Sequence, residues 1–187
     1  MENGGSRGRT FNIVFIGVMA SIVFVVTFFR FPLLGSKVHF ANTMCLLAGM
    51  LLGPVRGGLA AGIGSGLYDV LYGGYNIVEG LVTAVSKFTM AWVAGIISHS
   101  GKSWGDSHAK NVVASICGAF TYVALYMLRT LIMQRWIMGL PWDGTFVSMG
   151  TKLPASLINA ALAIVAAPII NAAVRPALVK GNMLGQK

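Results

Sequence analysis

Apolar residues in this chain run in long, nearly unbroken stretches, without the short polar–apolar alternation of a soluble surface. The stretches cover residues 11–29, 40–53, 55–71, 77–97, 111–133 and 154–174. Four of them are at or near the ~20 residues that a helix needs to cross a bilayer. The second and third are shorter and meet at Gly53-Pro54-Val55. Glycine suits the end of one helix and proline the first turn of the next, so a tight reversal is predicted there. The pattern predicts an all-α integral membrane protein of six transmembrane helices. It forms a single membrane domain over 1–187, with tails at 1–10 and 176–187 around a bundle at 11–175.

Composition agrees. The chain is 56% hydrophobic and 10% charged, with a mean hydropathy of +0.74, where a soluble domain carries about 25% charge. The net charge of +9 does not point to nucleic acid, because the cations stand singly at segment ends and no RNA-binding or zinc spacing accompanies them. With a cytoplasmic N-terminus, eight Lys and Arg fall inside and four outside, Lys87 and Arg129 lying within helices. Positive charge prefers the cytoplasmic side, so both termini are expected there. Arg7 and Arg9 before an apolar run resemble a signal peptide, but no small-residue cleavage site follows, so a first helix is expected instead. Cys45 and Cys117 each sit inside an apolar run and read as core residues, not a disulfide.

Small residues concentrate on the second and third helices, with Gly58-xxx-Gly62-xxx-Gly66 the longest run. Such spacing lets helix backbones approach closely, and internal packing is the preferred reading over a dimer interface. Gly17-xxx-Ser21 on the first helix suits either lipid or a second protein. Gly101-Lys102-Ser103 resembles the end of a phosphate-binding loop, but Ile96 stands where the first glycine is required, and ATP binding is not expected. The three histidines show no metal spacing, and no base accompanies Ser65 as a nucleophile. No cofactor, metal or catalytic residue is therefore expected.

Polar residues inside the last three helices carry more information. Glu79, Thr83 and Lys87 are spaced i, i+4, i+8 on one face of the fourth helix. Lys87 is ten residues past Ile77, about 15 Å deep at the helical rise, too far to reach the surface easily. Tyr122, Tyr126 and Arg129 form a stripe on the fifth helix, and Lys152, Ser156 and Asn159 one on the sixth. All three stripes occupy the half of the membrane away from the termini. One reading is a structural network in which Glu79 satisfies Lys87. The favoured reading is a pocket open to the outside, mainly apolar with a few fixing polar groups. Glu79, Thr83, Lys87, Arg129, Ser156 and Asn159 are the candidate ligand contacts, with Tyr126 and Trp142 as stacking groups.

The stretch from Lys37 to Asp69, with its Leu52-Gly53-Pro54 turn and glycine-rich helix ending in Asp69, resembles the substrate-binding S components of energy-coupling-factor (ECF) transporters. The resemblance implies high-affinity capture of a vitamin at a prokaryotic plasma membrane, energised by a scaffold (T) subunit and two ATPase subunits. It places the pocket among the fourth to sixth helices, capped by the loop at 30–39. Members carry Ala-xxx-Ala on the first helix toward the scaffold subunit, and Gly17-xxx-Ser21 stands in its place here. The pattern is similar to members handling vitamin B6 or hydroxymethylpyrimidine-like rings, while Lys87, Arg129 and Lys152 also suit a carboxylate such as niacin, pantothenate or folate. Two other classes remain: an intramembrane enzyme using Asp69, Glu79 or Lys87, and a self-sufficient secondary transporter or channel, although no inverted repeat is present.

Overall fold

The structure is a computed structural model and describes residues 3–33, 36–181 and 183–184. Among these residues there are six α-helices: α1 (Asn3–Val26), α2 (Ala41–Leu52), α3 (Pro54–Leu71), α4 (Ile77–His99), α5 (His108–Ile132) and α6 (Trp142–Lys180). Among the described residues, three segments are long and apolar enough to cross a membrane: Ile77–Lys102, His108–Ile137 and Trp142–Lys180. Between α1 and α2 the chain forms an antiparallel hairpin, β1 (Arg30–Leu33) with β2 (Ser36–His39), where the sequence suggested only a loop.

Local chemistry sets the element ends. Gly53 takes φ of +82°, a conformation glycine adopts without strain, and Pro54 opens α3 where its missing N–H costs nothing. A reciprocal capping box opens α4: Asn76 Oδ1 accepts from Glu79 N at 2.8 Å, and Asn76 N donates to Glu79 Oε2 at 3.3 Å. At its C-terminal end, α5 widens into a π-helical turn, Met133–Ile137, before Gly139.

The glycine run of α3 lies against α4. A Cβ on Gly62 would stand 2.8 Å from the Ala84 carbonyl oxygen, and one on Gly66 2.8 Å from Ala84 Cβ. The run therefore serves internal packing, as the spacing suggested. The core gathers Val23, Leu46, Met50, Met90 and alanines of α4, α5 and α6 at its centre. Cys45 is buried and free, and Cys117 is free and half-buried.

α6 begins at Trp142, well before the apolar run that signalled it, and runs for 39 residues. At 1.5 Å per residue that is about 58 Å, far longer than the ~30 Å of a hydrocarbon core. Near its C-terminal end, Asn171 Nδ2 and Asn111 Nδ2 both donate to Gly105 O, at 3.0 and 2.9 Å, and Arg175 pairs with Asp106 at 3.6 Å. These bonds tie the α4–α5 connection to α5 and α6 and close that end of the bundle. The hairpin covers the opposite end.

Candidate substrate-binding site

Beneath the hairpin lies a cavity of about 530 Å³, lined from the chain just past α1, the hairpin and all five later helices. Lys87 is 3% exposed at the middle of α4, and its Nζ donates to Asn42 Oδ1 on α2. The ammonium also sits 3.7 Å from the centroid of the Tyr122 ring, a geometry in which a desolvated cation gains about 2 kcal/mol. Glu79 does not reach Lys87. Its Oε1 pairs with Arg129 at 3.3 Å, while its Oε2 serves the α4 cap, so one carboxylate fixes both a helix start and a cavity-lining guanidinium. The Glu79–Lys87 pairing considered from spacing is thus replaced by Glu79–Arg129, since α5 runs closer to the first turn of α4 than Lys87 can reach back.

Thr83, Lys87, Tyr126, Arg129, Ser156 and Asn159 all line the cavity, whereas Glu79 and Trp142 do not. Trp142 stacks on Phe146, with Arg135 over its ring at 5.0 Å, on the outside of the bundle. It is displaced because α6 starts at this residue. Asn159 also holds the roof in place. Its Oδ1 accepts from His39 N at 2.8 Å and its Nδ2 donates to Lys37 O at 2.7 Å. One side-chain amide thereby reproduces a strand-like pairing and pins β2 to α6.

Several lining residues were not singled out from sequence. Arg30, Lys37 and His39 come from the hairpin, and Ser65 and Asp69 from α3. Asp69 carried a signal as the end of the glycine-rich helix, and the three hairpin residues fall in the segment 30–39 that the family resemblance implied as the cap. Of the tyrosines, Tyr75 and Tyr122 join Tyr126 in the walls, while Tyr68 and Tyr72 pack edge-on against Phe24 and Phe28. His39 is uncharged at neutral pH: burial, with Lys87 and Arg30 nearby, pushes its pKa down to about 3. Burial beside Arg30 also lowers the pKa of Lys37. Among the described residues, no three His, Cys, Asp or Glu side chains converge as a metal site.

A second, open and apolar concavity runs along α1, bordered by Val14, Gly17, Val18, Ser21, Ile22 and Val25. No atom of another described element lies within 4 Å of where a Gly17 Cβ would be, so this small residue faces outward rather than into the bundle.

Apolar helices thus surround a partly open chamber lined by both polar and aromatic side chains. The chain matches the family described as "ECF-type riboflavin transporter, S component" over residues 8–176, and it belongs to that family. It is 33% identical over 98 residues to an uncharacterised protein of Pyrococcus woesei named for the gap 3' region, a match covering 51% of this chain and 64% of that protein. Its fold is similar to a solved structure titled "Structure and mechanism of the S component of a bacterial ECF transporter", with a TM-score of 0.65 at 18% identity, covering 93% of this chain and 98% of that one. S components are the substrate-capture parts of membrane transporters and not enzymes.

Proposed function

We propose that this chain captures a planar-ring vitamin from outside the cell and delivers it through an ECF importer whose T and ATPase subunits supply the energy. The observation that carries this reading is the chamber of about 530 Å³ under the hairpin, walled by Tyr75, Tyr122 and Tyr126. Aromatic faces bind a flat heterocycle, and the polar side chains between them fix its orientation. With both termini cytoplasmic, as the charge distribution suggests, the hairpin end opens outward and the chamber fills from that side. The family name supports a riboflavin-type ring. The vitamin B6 or hydroxymethylpyrimidine ring suggested by the sequence is the second candidate, since a single ring leaves much of this volume unfilled. The plasma membrane of a prokaryote is the matching location.

Titration calorimetry of the purified chain against riboflavin, pyridoxine, hydroxymethylpyrimidine, nicotinic acid, pantothenate and folate tests this. One-to-one binding of one ring compound, with no ATP present, is expected. Binding of none of them by folded protein overturns the reading, and uptake into liposomes by the lone chain shifts it to a secondary transporter.

A further inference from the structure

Among the described residues, the chamber is lined by five cations, Arg30, Lys37, Lys87, Arg129 and Lys152, against a single carboxylate, Asp69. Most of the five are answered from within the protein. Lys87 has Asn42 and the Tyr122 face, and Arg129 has Glu79. Arg30 lies 5.1 Å from the Tyr68 centroid and Lys37 5.8 Å from that of Tyr75. Lys152 differs: no hydrogen bond or ion pair joins its ammonium to another described residue, and the charge it feels most is the like charge of Arg129.

One helical turn further along the same face is Ser156, a lining residue only 4% exposed, whose buried Oγ has no hydrogen-bond partner among the described residues. A buried hydroxyl without a partner costs about 1–3 kcal/mol, so such groups normally have one. An unanswered ammonium, an unanswered hydroxyl and a guanidinium thus border one wall of a partly desolvated cavity. Like charges held together in low dielectric repel, and a bound anion turns that repulsion into attraction.

We propose that the cargo is an anion, and that Lys152, Ser156 and Arg129 form the subsite for its carboxylate or phosphate group. This rests on the chamber being the vitamin site. The ring lies against the tyrosines, and its acidic substituent reaches the α6 wall. Ser156 Oγ–H donates to one oxygen, Lys152 Nζ to a second, and the Arg129 nitrogens not facing Glu79 complete the cradle.

Pairs sharing a ring but differing in charge separate the two claims. Calorimetry compares riboflavin with flavin mononucleotide, pyridoxine with pyridoxine 5′-phosphate, and nicotinamide with nicotinic acid. For at least one pair the acidic member is expected to bind at least tenfold more tightly. Lys152→Gln is expected to erase about tenfold of that preference, the size of one lost charge-assisted hydrogen bond, with little change for the neutral member. Ser156→Ala should remove a smaller share, and it serves if Lys152→Gln does not fold. Lys102→Gln, outside the chamber, should change nothing.

Neutral members binding as well as acidic ones overturns the anion subsite and leaves vitamin capture standing. Binding of no member overturns both. The same titrations in lipid discs with and without phosphatidylglycerol distinguish a lipid headgroup as the anion: displacement of the vitamin by that lipid overturns cargo recognition at this wall.

Discussion

At the residue scale the fold turns on Lys87, a cation placed where an apolar side chain would cost nothing. A charge in the middle of a membrane helix persists only with partners, and this one has an amide oxygen from α2 and an aromatic face from α5. The ammonium therefore ties three helices together while presenting charge to the chamber. Lys87→Ala leaves Asn42 without its donor and removes the cation from Tyr122, a loss of about 2 kcal/mol of stability. Vitamin affinity is expected to fall along with the unfolding midpoint in detergent, measured by calorimetry and by thermal unfolding. A lowered midpoint with unchanged affinity would make Lys87 a strut only. Glu79 is the opposite case, since both its oxygens are already engaged by Asn76 and Arg129. Its effect on a ligand passes through the position of Arg129.

At the element scale the hairpin is the roof of the chamber, and its hold on the bundle is concentrated in Asn159. Replacing Asn159 with Leu keeps the branched heavy-atom skeleton but leaves the His39 N–H and Lys37 carbonyl unpaired, at about 1–3 kcal/mol for each group that stays buried. The expected outcome is faster hydrogen exchange confined to residues 30–39 and faster ligand release, with α2–α6 unaffected. Uniform exchange acceleration across the helices would instead mark Asn159 as part of the core. This latch explains what is and is not legible in the sequence. The stripes on α4, α5 and α6 are legible because i, i+4 spacing dictates which side chains share a face, whatever the helix packs against. The hairpin's place over the chamber is not, because it depends on an amide 120 residues away. Spacing gives Glu79 the wrong partner for the same reason: it ranks neighbours within a helix, while Arg129 arrives from another. Trp142 falls outside the chamber because α6 extends beyond its apolar run, where no periodic signal marks the start.

At the scale of the whole molecule, the two glycine patterns mark different surfaces, and this leads to a prediction that separates folding from assembly. Gly62 faces α4, and a Cβ there would meet the Ala84 carbonyl at 2.8 Å. Gly17 faces the open groove on α1, with no atom of another described element within 4 Å of its would-be Cβ. The same Gly→Leu change should therefore act in opposite ways. Gly62→Leu forces α3 and α4 apart, costing at least the roughly 1–3 kcal/mol of an overpacked core, and folded yield should drop. Gly17→Leu meets no neighbour and raises helix propensity by up to about 1 kcal/mol, so the protein should fold and bind its vitamin as before. If the α1 groove is where the scaffold subunit seats its helices, the added side chain fills the gap that close approach requires. Co-purification with the T and ATPase subunits and ATP-driven uptake in proteoliposomes should then fail in the Gly17→Leu protein while its calorimetric affinity is intact. Uptake at the normal rate would remove α1 as the docking face and transfer that role to another surface of the bundle.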